Sequence, residues 1–403
     1  MLKVENAEKI ILENIIQLAE EKVDILSSMN RVLAEDIYSE LDLPPFDNSA
    51  MDGYAVKSAD IKKAPALLKV IGAIKAGDVF FKKLKNGEAI KIMTGAAMPA
   101  GADAVVMVED TKLVNSGQIE VFTEVKKGEN IRRKGEDVKK GELVIPKGKS
   151  IRPQEIGMLA ALNIGYVKVG RRPRIAILVT GDELCEMGRA DLKPGKIRNS
   201  NSYSLYSQVI KYGGIPINLG IAKDTKKEIR KKIQSAISQI VLGQNDYGLT
   251  TTRLRTMDYQ RCDMLVISGG VSVGDYDLVK DVLTELGMKT KFWRDSMKPG
   301  KPLLFGVMKE IPVFGLPGNP AASIVTFEQF VAPAILKMQG KTTLHNPIIK
   351  AISEKNIKKT VGKKYFIRGI VNYKNGRYFV KPSGTQSSGV LKSMVLANGL
   401  III

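Results

Sequence analysis

The run Leu265-Val-Ile-Ser-Gly-Gly-Val-Ser-Val-Gly-Asp-Tyr-Asp277 carries an apolar strand directly into a small-residue loop that ends in two carboxylates. Glycines there let the backbone approach an anion closely, loop amides supply positive dipole, and Asp275 or Asp277 can hold a hard cation that bridges phosphate oxygens. The same turn in other α/β proteins only packs strand against helix, so the run alone does not decide its use. Thr180-Gly-Asp-Glu-Leu184 follows another apolar run and leaves Asp182 and Glu183 at its end, and Asp224 closes Gly220-Ile-Ala-Lys-Asp224 in the same way. Any one such carboxylate is often a helix cap, whereas Glu183, Asp224 and Asp277 on one sheet edge can converge on one cation. In Lys298-Pro-Gly-Lys-Pro302 the prolines stiffen a turn that presents Lys298 and Lys301 as fixed ammonium groups suited to a compact oxyanion. Gly315-Leu-Pro-Gly-Asn-Pro320 has the form of a strand-to-helix turn whose amides can cradle a phosphate, with Pro320 opening the helix.

Other chemistry is excluded by composition. His345 is the only histidine, which removes histidine triads and histidine-rich metal sites. Cys185 and Cys262 stand far apart without a CxxC partner, which argues against a disulfide framework or structural zinc. Catalysis is therefore expected from carboxylates, lysines, arginines, backbone amides or a metal. The net charge of +20 is spread along the chain with no aromatic stacking motif beside it, so it reads as a solvated surface and not as a nucleic-acid reader. No apolar run approaches the roughly 20 residues of a membrane span and the N-terminus is not signal-like, so no membrane partner and a cytoplasmic location are expected.

The elements that must position these residues follow from periodicity. Residues 5–36 show helical spacing; from 44 to 144 glycines and prolines punctuate short strands; Pro153 onward reads as a helix. Arg174-Ile-Ala-Ile-Leu-Val-Thr180 has the continuous hydrophobicity of a fully buried strand. Strands near 215–221, 264–268, 303–307 and 312–316 alternate with helices near 202–212, 226–241, 278–287 and 320–338. That alternation predicts a multidomain α/β protein with a three-layer, mainly parallel sheet whose ligands bind beyond the carboxyl ends of the strands. The expected division is an elongated helical/β N-terminal domain (1–43 and 145–172), an inserted mostly β domain (44–144), the α/β domain (173–341) and a small C-terminal β domain (342–403).

Pro45-Phe-Asp-Asn-Ser-Ala-Met-Asp-Gly-Tyr-Ala55 is not explained by propensity. Together with Lys91-Ile-Met-Thr-Gly-Ala96, Ile131-Arg-Arg-Lys-Gly-Glu-Asp137, the 180–183, 268–277 and 298–302 runs and Gly315–Pro320, in this order, it resembles the MoeA family of molybdopterin molybdenumtransferases, related to the gephyrin E domain. The resemblance spans about 5–400. It implies insertion of molybdate into adenylated molybdopterin, with Mg²⁺-dependent release of AMP. It further implies Asp52, Glu183, Asp224 and Asp277 as catalytic Mg²⁺ ligands. Substrate-binding residues would be Thr94, Arg132, Asp137, Gly269, Gly270, Ser272, Gly274, Arg294, Pro317, Gly318 and Pro320, and the molybdate site would comprise Lys298, Lys301, Pro302, Arg368 and Ser388. The sulfur ligands of molybdenum would come from the pterin. Asp52, Thr94, Arg132 and Asp137 lie in a domain apart from the α/β crevice, which the family resolves with a homodimer sharing its site between subunits. The enzyme that supplies the adenylate is a further candidate partner.

The sequence departs from the family pattern at Arg294, where many members have lysine, and in the extra polar length 243–261. Relatives usually continue through further strands past Ile403, which leaves a shortened last domain open. The competing readings are a tungstate-inserting paralogue and a non-catalytic scaffold like the gephyrin E domain; the retained carboxylates favour the enzyme.

Overall fold

Six runs between 174 and 316 pair into one sheet in a computed structural model that describes residues 2–188, 192–237, 261–271 and 278–403. They are β1 Arg174–Thr180, β2 Ile215–Ala222, β3 Met264–Ser268, β4 Lys289–Trp293, β5 Leu304–Met308 and β6 Ile311–Leu316, ordered β2-β1-β3-β6-β5-β4. Neighbours from β2 to β6 are parallel; β5 alone is reversed, antiparallel to both β6 and β4. The sheet is thus mixed, with one reversed strand.

Its two faces are covered by different helices, which is why β1 is apolar at successive residues. Ile175 and Ile177 pack with Leu205 and Val209 of helix Asn201–Lys211 and with Val325, Phe327 and Ile335 of the run 320–338. Ala176 and Leu178 face Ile229 and Ile233 of helix Lys226–Ile237 and Val282 and Leu283 of helix Val279–Glu285. Each buried leucine or isoleucine contributes on the order of 2 kcal/mol, so the two-sided core fixes strand register and with it the loops at the strand ends. Pro320–Met338 is long and apolar enough to cross a membrane by length and composition, contrary to the sequence expectation; its window is 72% buried within the protein. The sequence reading missed β4 as well, because Lys289-Thr-Lys-Phe-Trp293 is an edge strand whose first three residues are exposed.

The chain divides into two compact units. The first joins Met1–Ala34, Gly148–Ile156 and Tyr166–Ile403. Its opening is less helical than its spacing suggests: only Val4–Glu13 is helix, and Glu20–Asp24 is a strand antiparallel to Tyr166–Gly170. Cross-strand pairing has overridden local periodicity there. The same unit carries the C-terminal sheet, in which Lys364–Lys374 pairs antiparallel with Arg377–Pro382 and Gly399–Ile402 and parallel with the two-residue strand Met297–Lys298. The second unit, Glu35–Lys147 with Gly157–Gly165, is built on a six-stranded sheet ordered 104–107, 53–56, 88–92, 66–74, 118–121, 111–115, antiparallel except between 66–74 and 88–92. Most of the extra length noted in the sequence, 243–260, lies outside the described residues.

Candidate active site

The carboxyl ends of β1, β3 and β6 and the loop after β2 enclose a cleft of about 420 Å³. Glu183, Asp224, Gly269, Gly270, Pro302, Pro317, Gly318 and Pro320, all singled out from sequence, line it, together with Arg198, Asn199, Asn201 and Ser268. Asp277, Ser272 and Gly274 lie outside the described residues.

Backbone at the cleft floor is fixed by close approach. Gly269 has φ +96°, and a Cβ there would stand 2.6 Å from the carbonyl oxygen of Thr180; at Gly270, φ +64°, a Cβ would meet Val279 Cγ2 at 2.7 Å. Only glycine fits either position. Buried Asn201 clips the loop after β3 to the one after β6: its Nδ2 donates to Ser268 Oγ at 2.8 Å and to the Gly318 carbonyl at 2.8 Å, while Ser268 Oγ donates to the Pro317 carbonyl at 3.0 Å. A trans peptide sets its C=O and N–H on opposite sides. Tying the carbonyls of Pro317 and Gly318 inward therefore turns the N–H groups of Gly318 and Asn319 away from that buried clip, on residues that line the cleft. The first amides of the following helix are engaged elsewhere: Ala321 and Ala322 both donate to the carbonyl of Ser388, at 3.0 and 3.3 Å.

The carboxylates sit where the strands end. Asp182 and Asp224 exchange hydrogen bonds, Asp182 N–H to Asp224 Oδ2 at 3.1 Å and Asp224 N–H to Asp182 Oδ1 at 3.3 Å, which draws the two post-strand loops together beside exposed Glu183. Among the described residues no three histidine, cysteine or acidic side chains cluster as a metal cage. A pair of carboxylates is nonetheless the donor set Mg²⁺ takes when phosphate oxygens and water complete its shell.

Lys298, the second residue of the short strand Met297–Lys298, and Lys301, on the turn after it, are exposed, and among the described residues neither is ion-paired. The turn is shaped from below. A Cβ on Gly300, φ +120°, would meet Thr326 Oγ1 at 2.4 Å, and the Lys301 carbonyl accepts from Asp295 and Leu303 N–H. Arg368 stands differently from its expected part in a molybdate site. It is 1% exposed, its Nε donates to Ser393 Oγ at 3.1 Å, and one terminal nitrogen donates to the carbonyls of Thr385 and Ser387 at 3.3 and 2.8 Å. Burial lowers its pKa from the usual guanidinium value. Its charge braces the 385–388 loop, and that loop in turn caps helix 320–338 through Ser388.

In the second unit three of the sequence motifs meet on one surface. Asn48 and Ser49 pair with Arg132 and Ile131, and Asp52 accepts from Thr94 N–H at 2.7 Å and Thr94 Oγ1 at 2.8 Å. Those two bonds from Thr94 hold the Asp52 carboxyl below the usual carboxylate range. The glycine after Asp52 is dictated by packing, since a Cβ on Gly53 would lie 1.9 Å from the Val106 carbonyl oxygen. Asp137 lies apart from this pair at its backbone, donating its N–H to the Leu43 carbonyl at 3.0 Å.

Family models match almost the whole chain: "MoeA N-terminal region (domain I and II)" over 2–163, "Probable molybdopterin binding domain" over 176–243 and 237–337, and "MoeA C-terminal region (domain IV)" over 350–403. The chain is 37% identical to a molybdopterin molybdenumtransferase of Haemophilus influenzae over 100% of its own length and 94% of the relative's. It belongs to the MoeA family. A second molybdopterin molybdenumtransferase, from a Nostoc species, is 37% identical over 95% of this chain and 84% of its own. The crystal structure of the molybdopterin biosynthesis MoeA protein from Pyrococcus horikoshii OT3 superposes with a TM-score of 0.81 at 34% identity, covering 100% of this chain and 95% of that one.

This MoeA-family chain has cleft residues that sequence reasoning passed over, chiefly Asn199 and Asn201. In Arg198-Asn-Ser-Asn-Ser202 the asparagines look like helix-start residues, and Asn199 does cap, its Oδ1 accepting from Ser202 N–H at 3.1 Å. The signal for Asn201 was an amide placed one residue inside a helix, where it has low propensity and so needs a tertiary reason.

Proposed function

We propose that the chain inserts molybdate into adenylated molybdopterin in a Mg²⁺-dependent step that releases AMP. At the coarser level it is an enzyme of molybdenum cofactor biosynthesis, a molybdopterin molybdenumtransferase. The observation that carries the finer reading is the pairing of two kinds of group on one sheet edge: carboxylates Glu183 and Asp224 at strand ends beside a glycine floor and outward amides.

In this reading the amides of Gly318 and Asn319 and the floor at Gly269 and Gly270 receive phosphate oxygens, which requires no charge reorganisation because the amides are already fixed. Glu183 and Asp224 would hold Mg²⁺, with Asp52 and Asp277 as the further candidates. Bound there, Mg²⁺ would neutralise charge on the phosphoanhydride and raise the leaving tendency of AMP. Lys298 and Lys301 attract the molybdate dianion as point charges, Pro302 shapes their turn, and Arg368 and Ser388 act as positioning residues by holding the loop that caps helix 320–338.

Purified protein with molybdopterin adenylate should release AMP only when Mg²⁺ and molybdate are both present, and E183Q should lower that rate by about 100-fold. Full activity in E183Q would remove Glu183 from the reaction. We extend the proposal to a cytoplasmic homodimer in which Asp52, Thr94 and Arg132 of one subunit complete the cleft of the other. Mixing D52A with D224A protein should then restore part of the activity neither has alone; verified heterodimers that stay inactive would contradict a shared site.

A further inference from the structure

Helix Asn201–Lys211 and the run 320–338 lie side by side on one face of the sheet, and three polar ties between them follow the same order along both. At the cleft, buried Asn201 donates to the Gly318 carbonyl at 2.8 Å. About two helical turns further on, Gln208 Nε2 donates to the Ile324 carbonyl and to Glu328 Oε1, both at 3.2 Å. At the far end, Gln339 Nε2 donates to the Tyr212 carbonyl at 2.8 Å. The two helices therefore run in the same sense. Between the ties they share apolar core, Leu205 and Val209 with Val325, Phe327 and Ile335, and apolar burial is non-directional.

Glu328 concentrates the middle tie. Besides Gln208, its carboxylate accepts from Lys211 Nζ at 2.9 Å and from the Tyr212 hydroxyl, so three donors from the end of one helix meet on a single side chain of the other. Hydrogen bonds to an ionised acceptor are shorter and stronger than neutral ones. Glu328 also stands in the π-helical turn Phe327–Val331, where the Ala332 N–H reaches back five residues to the Phe327 carbonyl. Such a turn widens an α-helix by one residue and recurs at functional sites. Glu328 itself does not line the cleft; it lies about 12 Å along the helix from Pro320, which does.

We infer that Glu328 is a positioning residue for the cleft: it fixes the lengthwise register of helix Asn201–Lys211 against the run 320–338, and through that register the seat of Asn201 against the Gly318 carbonyl. The apolar face sets how closely the helices approach. The carboxylate sets where along each other they stop. A slip at Glu328 is carried by the helix to its start, where it moves Asn201 and with it the loop that presents the Gly318 and Asn319 amides. This deepens the reading of the cleft given above and rests on it only for the kinetic part of the test.

Glu328→Gln replaces the charged acceptor with an amide that has fewer lone pairs for its three donors. Native-state hydrogen exchange reads the register without substrate. Exchange in this variant is expected to quicken about tenfold beside the substitution, at 208–212, and also at the cleft ends, 201–205 and 318–323. AMP release should show kcat lowered about tenfold with KM for molybdopterin adenylate within about twofold, the pattern of an interaction realised in the transition state. Glu285→Gln removes a carboxylate paired with Lys226 and Arg230 on the helix Val279–Glu285, across the sheet, and should leave all of these at wild type. Faster exchange confined to 208–212, a wild-type kcat in the active enzyme, or equal effects in Glu285→Gln would overturn the inference. Should Glu328→Gln not fold, Tyr212→Phe removes one donor and keeps the carboxylate; smaller changes at the same cleft segments are then expected, and their absence overturns the inference equally. A chain whose cleft ends loosen in Glu328→Gln but which never releases AMP from the adenylate would sink the proposed reaction and leave the register standing.

Discussion

Gly269→Ala is expected to fold and to lose about 100-fold of the proposed AMP-releasing activity, the scale of loss for reacting groups misplaced by about 1 Å. Two costs combine at this position. An alanine at φ +96° is strained by roughly 1–2 kcal/mol, and its Cβ would stand 2.6 Å from the carbonyl oxygen of Thr180. That contact is a methyl group against backbone, which cannot rotate away, so relief requires the β1 and β3 loops to separate, and overpacking of this kind costs about 1–3 kcal/mol. Separation moves Glu183 on one loop away from Gly270 on the other. Gly188→Ala isolates the first cost, because Gly188 has φ +95° with nothing within 4 Å of a built Cβ. Its activity should stay near wild type while its stability falls modestly in urea. Equal activity losses in the two variants would show that backbone strain, and not the closeness of the two loops, sets the rate.

The second large effect is on stability. Asp295 is 0% exposed; its Oδ1 accepts from Met297 N–H at 2.8 Å, and its Oδ2 has no partner among the described residues. Burial pushes this carboxyl up to about 7 from an ordinary 3.8. Between those two values the folded protein keeps a proton that the unfolded chain has released. The stabilisation is therefore fully present below about pH 4 and is lost as pH rises through about 7, by an amount on the order of 4 kcal/mol. The substitution Asp295→Asn keeps an acceptor for Met297 and removes the ionisable group. The difference in unfolding free energy between D295N and wild type should move in favour of the variant from pH 4.5 to pH 8, other titrations cancelling in the comparison. Parallel curves for the two proteins across that range would mean that Asp295 keeps its ordinary carboxylate behaviour.

How far these features could be read from sequence depended on whether local chemistry or a distant partner decided them. The strand Arg174–Thr180 was legible because burial on both faces demands an unbroken apolar run, and the loops after β1, β3 and β6 were legible because glycine and proline have few other uses there. Glu183, Asp224, Gly269 and Gly318 came together in one cleft for that reason. The strand Lys289–Trp293 was hidden because an edge strand with alternating lysines lacks an apolar signature. Helical spacing through residue 36 misled at Glu20–Asp24, where the partner Tyr166–Gly170 lies far along the chain. Arg368 is an anion ligand by family resemblance; only the fold reveals that its Nε donates to Ser393 Oγ and one terminal nitrogen to the Thr385 and Ser387 carbonyls. Asn201 was invisible for the opposite reason, as an ordinary amide whose importance comes entirely from the two loops it joins.

Metal insertion coupled to loss of the adenylyl group is tested most directly in one reaction of the purified protein with molybdopterin adenylate, Mg²⁺ and molybdate. The quantities to measure there are the AMP released and the molybdenum retained on the pterin. Equimolar amounts are expected, both abolished when molybdate is omitted. AMP released at the same rate without molybdate, or molybdenum taken up with no AMP formed, would contradict the coupling.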